Sequence, residues 1–252
     1  LAAKLGHSET AFVMPAAGAR RTVRYFTPKT EVPFCGHATI ATGVTLGRTQ
    51  GPGEYIFDTP AGSVVVDVEQ AQGQWRAAFR SVTTGHTKIG DDVLAPALKA
   101  LRWFKGDLDA RWPPAIAWAG ARHLVLAVRA RATLDALDYD YEGLKDVLMA
   151  HDAVTAQLVW REDDRVVHAR DPAPAVGISE DPATGSAAAA LGGYLRDAQL
   201  VSTPASLTIR QGEVMGRPSI LHVEIPRSGG IRISGSAVTL SDGGAKPGVD
   251  LI

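Results

Sequence analysis

The chain reads as an α+β protein in which a sheet wraps around one central helix, with that plan laid down twice. Three observations lead there. Short runs with the two-residue period of strands dominate the sequence. Two helical runs, His37 to Leu46 and Ser186 to Arg196, consist mostly of small residues, and the first, so short of charge, is expected to be buried on most sides. Each follows a loop that holds a proline and an acidic residue and ends in glycine, Glu31 to Gly36 for the first and Glu180 to Gly185 for the second. Gly36-His37-Ala38-Thr39-Ile40-Ala41 and Gly185-Ser186-Ala187-Ala188-Ala189-Ala190 are the two copies of the resulting motif.

Leu1 to Gly6 reads as the last turns of a helix with a glycine C-cap, and the sequence is expected to continue upstream of it, since no methionine precedes Leu1. Ser8 to Met14 and Arg21 to Phe26 are strand-like and pair as a hairpin across a turn-rich cluster from Pro15 to Arg20. After the first small-residue helix come strands at Glu54 to Asp58, Ser63 to Glu69 and Gln74 to Ser81, punctuated by Pro60-Ala61-Gly62 and by Gln70 to Gly73. Ser81 to Gly90 is polar and turn-rich, which suits a boundary. Asp91 to Leu101 is helical, with Asp91 and Asp92 in the first turn, where the helix dipole favours acids. Ala115 to Ala119 and His123 to Val128 are strands, Tyr141 to Ala150 a helix, and Ala153 to Trp160 and Arg165 to Ala169 strands again. Beyond the second small-residue helix, strands are expected at Ser206 to Arg210, Ile220 to Ile225 and Ile231 to Ser234, the last running on towards Leu240.

Bulk properties narrow the function. The 252 residues carry a formal net charge of −1 and no Lys/Arg run, which argues against a nucleic-acid or membrane-surface partner. No apolar stretch is long enough to span a bilayer, and the N-terminus lacks the order of a signal peptide. Cys35 is the one cysteine, so no internal disulfide can form and the cytoplasm is the expected compartment.

A helix N-terminus offers unpaired N–H groups at the positive end of its dipole, so the two motifs suit a carboxylate ligand. Four further residues carry potential chemistry. Glu9 heads an apolar strand; it is either a solvated strand-end acid or, if buried, a proton carrier with a raised pKa. His37 lies in the first turn of its helix, as a capping or core residue or as a neutral hydrogen-bonding ring. Asp181 either caps the helix that follows or orients a proton shuttle and its substrate. Cys35 sits near a helix N-terminus beside Phe34, as a buried thiol or a stabilised thiolate. The seven histidines lack metal-ligand spacing such as HExxH, and no GxSxG, GxxxxGK[ST] or GxGxxG is present. Gln211 to Pro218 reads as a structural glycine-rich turn, with Arg217 as an anchor.

Four stretches stand in order along the chain: Ser8-Glu9-Thr10-Ala11-Phe12-Val13; Phe26-Thr27-Pro28 with Glu31 to Thr39; Glu180 to Ala187; and Gln211-Gly212 with Met215-Gly216-Arg217-Pro218-Ser219. Together they resemble the PhzF family of phenazine-biosynthesis-like isomerases and predicted epimerases. The resemblance implies a diaminopimelate epimerase-like fold of two pseudo-repeated domains, each an open β-barrel around a central helix, here residues 1–84 with 236–252 and residues 85–235. It also implies a strand and loop ahead of the first helix, which are expected upstream of Leu1. The resemblance further implies a homodimer, no cofactor and no metal, and an active site between the domains. Glu9 would carry the proton, His37 and Asp181 would assist, and Gly36, Gly185 and Ser186 would hold the substrate carboxylate. The expected activity is a cofactor-independent isomerase moving a proton within a small carboxylate-bearing metabolite. The rivals are a racemase or epimerase at an amino-acid α-carbon and a non-catalytic small-molecule binder. The related epimerases use two thiols, whereas this sequence places Cys35 in the first motif and Pro182 in the second, which excludes a two-thiol mechanism.

Overall fold

The computed structural model describes residues 1–5, 8–16, 18–71 and 73–239. The expected C-cap at Gly6, Leu240 and the 240–252 part of the first domain lie outside the described residues, as do Ala17 and Gln72 within two expected turns; the last strand, expected to run on towards Leu240, ends at Ser236. The chain divides into two compact units, Leu1–Arg80 with the segment starting at Arg232, and Ser81–Ile231. These boundaries stand against expected ones at residues 84 and 236.

In the first unit, strand Thr10–Val13 pairs antiparallel with Arg20–Phe26, which runs parallel to Gly53–Thr59; Gly62–Ala71, Gln74–Arg80 and Arg232–Ser236 follow, all antiparallel. The last of these, expected to close the second domain, therefore belongs to the first. Arg20–Phe26 alternates exposed and buried residues, with Val23 and Tyr25 inside, as expected of a sheet with one solvated face. The helix Gly36–Gln50 packs against Thr10–Val13 at one edge and against Gln74–Arg80 and Arg232–Ser236 at the other. One helix can touch both edges only if the sheet curls around it.

That curl depends on side chains being absent. A Cβ on Gly47 would lie 2.5 Å from Val68 and 2.6 Å from the Trp75 ring, and one on Gly43 would lie 2.8 Å from Ala77 Cβ. The small residues of this helix are thus spacers that let the strands close over it.

The second unit repeats the pattern. Ala153–Arg161 pairs antiparallel with Val166–Pro172, which runs parallel to Ala205–Gln211, and Ser219–Ile225 follows antiparallel. On the other side of Ala153–Arg161 lie Ala121–Val128, Ala115–Ala119 and Gly85–Lys88. The helix Gly185–Asp197 contacts Gly85–Lys88, Ala115–Ala119 and Ala121–Val128 near one edge and Ser219–Ile225 at the other, so this sheet also wraps its helix. Two further helices, Asp91–Leu101 and Tyr141–Ala150, cover the outer face with Leu94, Leu98, Leu144 and Leu148 packed on Leu124, Leu126 and Leu158. Ala121–Val128 is consequently buried on both faces from His123 onward. Asp140 caps the second of these helices by accepting from Gly143 N at 3.1 Å.

Gly85–Lys88 forms inside the segment expected to be a turn. Its composition has little strand propensity, and tertiary packing decides the outcome. Gly85 lies opposite Trp118 in the ladder, and a Cβ there would meet the indole at 2.5 Å, so the bare glycine makes room for the ring. Thr84 beside it fills the space over Gly193 of the central helix, where an added Cβ would come within 2.4 Å. Among the described residues, no helix is long and apolar enough to cross a membrane.

Gly193→Ala is expected to overpack this contact and cost about 1–3 kcal/mol, read as a drop of several degrees in melting temperature. An unchanged melt would show that Thr84 yields freely.

Candidate functional site

In each unit a two-residue strand leads into the central helix, and its pairing sets where the helix begins. Glu31–Val32 pairs with Tyr25–Phe26, and Glu180–Asp181 pairs with Asp171–Pro172. An arginine on the longer strand grips the glutamate of the shorter one in both. Arg24 takes Glu31 through Nε and Nη2, with the Nε contact at 2.6 Å; Arg170 takes Glu180 at 3.0 and 2.6 Å. Glu31 and Glu180, the acidic residues of the two loops, are thus engaged in ion pairs that fix the loop.

The two helices start at Gly36 and Gly185, with N-caps Cys35 and Thr184. Thr184, two residues beyond Pro182, is therefore the residue standing where the second thiol of a two-thiol epimerase would be. This corrects the position read from the sequence and leaves the exclusion intact. Neither cap side chain makes a capping hydrogen bond, beyond a weak contact of the Cys35 sulfur with the Ala38 N–H.

In the first unit the structure gathers Ser8, Glu9, Cys35 and His37. Glu9 Oε2 lies 3.2 Å from His37 Nε2, with the two side chains 20 % and 15 % exposed. The contact is close enough for charge attraction, and by strict geometry that oxygen is buried without a hydrogen bond. Ser8 Oγ sits 3.4 Å from His37 Nε2, and Cys35 Sγ lies 3.6 Å from both ring nitrogens. Tyr25 anchors the helix start by donating to Thr39 Oγ1 at 2.6 Å, and Thr39 in turn donates to the Cys35 carbonyl at 2.7 Å.

The electrostatics differ from the expectation of a raised Glu9 pKa. Burial does push Glu9 up, but interactions with His37, Ser8 and Cys35 outweigh it and hold the carboxyl below its ordinary value of 4.5. Glu9 is therefore a carboxylate near neutral pH, and its resting state is a base. Burial pushes the Cys35 thiol up, more than the neighbouring His37 pulls it down, so Cys35 is a buried protonated thiol. One donor atom from each of Glu9, Cys35 and His37 lies within 4.8 Å of the others, which makes them a potential metal-ligand set.

In the second unit the structure gathers Asp181, Gln211 and the start of the helix at Gly185 and Ser186. Buried Asp181 accepts from Thr184 Oγ1 at 2.8 Å and from Ala183 N at 3.4 Å. Gln211, fully buried, donates from Nε2 to the Asp181 carbonyl at 2.7 Å and to Thr184 Oγ1 at 2.9 Å, and accepts from Thr184 N at 3.2 Å. The Gln211-Gly212 pair read as structural is therefore the clamp on Asp181. Gly212 has φ +74°, and a Cβ there would lie 2.2 Å from the Arg217 carbonyl oxygen, so only glycine fits behind Gln211. Asp181 thus braces the helix start through Thr184.

A further polar chain had no signal in the sequence. His123 Nδ1–H donates to Thr155 Oγ1 at 2.8 Å, and Thr155 donates to Asp171 Oδ1 at 2.8 Å, all three buried. Burial raises the Asp171 carboxyl well above 3.8, helped by the nearby Asp181 and Glu180, and drives His123 down to about 3. Asp171 binds its proton more tightly folded than unfolded, so its contribution to stability is complete below its unfolded value and is lost as pH rises towards the folded one. Asp171→Asn keeps the acceptor for Thr155 and removes the titration. Denaturant unfolding across pH should show a flatter decline for this variant from roughly pH 4 upward, and an identical slope would refute the assignment.

Comparison with known proteins gives a consistent picture. A family model described as phenazine biosynthesis-like protein, PhzC-PhzF, matches residues 1–243. An isomerase of Clostridium acetobutylicum, itself uncharacterized, is 31% identical over 261 residues, covering 95% of this chain and 84% of the relative. The trans-2,3-dihydro-3-hydroxyanthranilate isomerase of Pseudomonas chlororaphis is 31% identical over 255 residues, covering 96% and 86%. The crystal structure of a Bacillus anthracis phenazine biosynthesis protein superposes with a TM-score of 0.81 at 22% identity, covering 93% of this chain and 83% of that one. The fold is the diaminopimelate epimerase-like one.

Proposed function

This chain belongs to the PhzC-PhzF phenazine biosynthesis-like family, and we propose that it is a cofactor-independent isomerase that moves a proton within a small carboxylate-bearing metabolite. The observation that carries this reading is the Glu9–His37 pair, a partly buried carboxylate 3.2 Å from an imidazole at the start of the central helix. A base held as a carboxylate, with one oxygen lacking a hydrogen bond, is ready to take a proton from an acidified C–H. Partial burial keeps competing water few and strengthens the attraction to His37.

In this mechanism Glu9 removes a proton from one carbon and returns it to another on the same face. The protonated Glu9 is the acid of the second half, so no outside proton donor enters. His37 sets the orientation of the carboxylate and offsets its charge. In the first unit the N–H at Gly36 is the candidate for receiving a substrate carboxylate; in the second, Asp181, braced by Gln211 and Thr184, and the N–H groups at Gly185 and Ser186 are the candidates for holding substrate. Glycine as the first residue of both helices leaves that backbone uncovered by a side chain. A two-thiol racemase is excluded because Cys35 is the one cysteine of the sequence and Thr184 is the N-cap of the second helix.

Glu9→Gln should fold and bind ligand while turnover falls by about 10²–10⁴; solvent-deuterium incorporation into candidate carboxylate metabolites measures this, and undiminished exchange would sink the role of Glu9. The pH profile gives a second check. A base whose carboxyl lies below 4.5 places the acid limb of kcat/KM below 4.5, with no loss of rate from Glu9 above it. An acid limb near neutrality would assign the base elsewhere.

A further inference from the structure

The cluster around Glu9 has a geometry that proton transfer does not require. A thiol, an imidazole and a carboxylate converge there from three points of the chain, Glu9 ahead of its strand, Cys35 at the N-cap and His37 in the first helical turn. A tetrahedral Zn²⁺ with Zn–S of about 2.3 Å and Zn–N or Zn–O of about 2.0–2.1 Å has ligand-to-ligand edges of about 3.6 Å from S to N and about 3.4 Å from N to O. Here Cys35 Sγ is 3.6 Å from His37 Nε2, and His37 Nε2 is 3.2 Å from Glu9 Oε2. Glu9 Oε2, moreover, is buried without a hydrogen bond, which an ion would supply.

We propose that Glu9, Cys35 and His37 form a binding site for a thiophilic divalent cation of the Zn²⁺ class, and that the bound ion blocks proton transfer at Glu9. Cys35 loses its thiol proton to solvent and binds as thiolate, His37 binds through Nε2 as neutral imidazole, and Glu9 binds through a carboxylate oxygen. The two negative charges neutralise the ion. Because the sulfur stands equally far from both ring nitrogens, coordination asks for a rotation of the imidazole that turns Nε2 towards the metal. The fourth position of the tetrahedron is left for water. Soft sulfur and borderline nitrogen select Zn²⁺ or Co²⁺ over Mg²⁺ and Ca²⁺, which prefer all-oxygen sites. The site rests on the convergence of these three donor atoms within 4.8 Å, which one ring rotation brings to bear on a shared ion; only the inhibition rests on Glu9 being the proton carrier.

Co²⁺ is the probe, because its thiolate charge-transfer and four-coordinate visible bands report the ligand set without any assay of turnover. Titrating the full chain with CoCl₂ should give a 1:1 complex with a thiolate-to-cobalt band that ZnCl₂ displaces and MgCl₂ does not. Cys35→Ser should abolish the band, and Glu9→Gln and His37→Gln should each weaken binding by at least about tenfold. Should Cys35→Ser melt early, protection of the wild-type thiol from alkylation by ZnCl₂ serves in its place. Absence of the band, its survival in folded Cys35→Ser, or unprotected alkylation overturns the site. Turnover lost on adding ZnCl₂ and restored by EDTA supports the block, and full turnover with the metal demonstrably bound overturns it.

Discussion

The structure depends on enclosing a helix inside a curled sheet. A strand backbone can approach a helix closely enough for both sheet edges to reach it only where the helix surface is nearly bare, and the glycines at 43 and 47 in one unit and 193 in the other provide that surface. A helix closed in along its length has its N-terminus as the end where backbone N–H groups remain to be offered. Much of the candidate chemistry among the described residues lies at or near the two helix starts. Cys35 and His37 mark the start of one helix, and Thr184 and Ser186 mark the start of the other.

The two units share this scaffold and spend it differently. Both retain the arginine–glutamate grip that fixes the entry loop, Arg24 with Glu31 and Arg170 with Glu180. The residues around it diverge. Thr10 faces Phe26 in the first ladder; counting on from Leu158 opposite Arg170 places Ala156 opposite Pro172 in the second, so Thr155 stands where Glu9 does. By the same count Asp171 stands for Tyr25, and Thr184 stands for Cys35. The first unit thus keeps a carboxylate, a thiol and an imidazole together at a partly open site. In the second, Thr155, at the position of Glu9, is instead part of the buried chain from His123 to Asp171. One backbone plan supports both because the positions are set by ladder pairing, which is indifferent to side-chain chemistry.

Most elements were legible because the signals are local. Asp91 to Leu101, Ala115 to Ala119 and Tyr141 to Ala150 form with the bounds their periodicity predicts, and the remaining longer strands and both central helices differ by a few residues at their ends. What was illegible depends on distant partners. Gly85–Lys88 becomes a strand because Trp118 lies over Gly85, and Arg232–Ser236 joins the first unit because Gln74–Arg80 is there to receive it. The two-residue strands at Glu31 and Glu180 carry no period at all and form through their pairing to the neighbouring strand.

The candidate site divides in the same way. While the N-cap at Thr184 came from the structure, the sequence by itself located each helix start to within a residue or two, since glycine, small residues and the preceding proline act within a few positions. It also determined that no second thiol exists. Only the tertiary structure decided that Glu9 meets His37 at 3.2 Å, that Gln211 clamps Asp181, and that Cys35 is a buried neighbour of both Glu9 and His37. The direction of the Glu9 pKa belongs to that second group. Burial alone would raise it, and it is the neighbours supplied by the fold that bring it down, because an electrostatic environment is a sum over groups that the chain order keeps far apart.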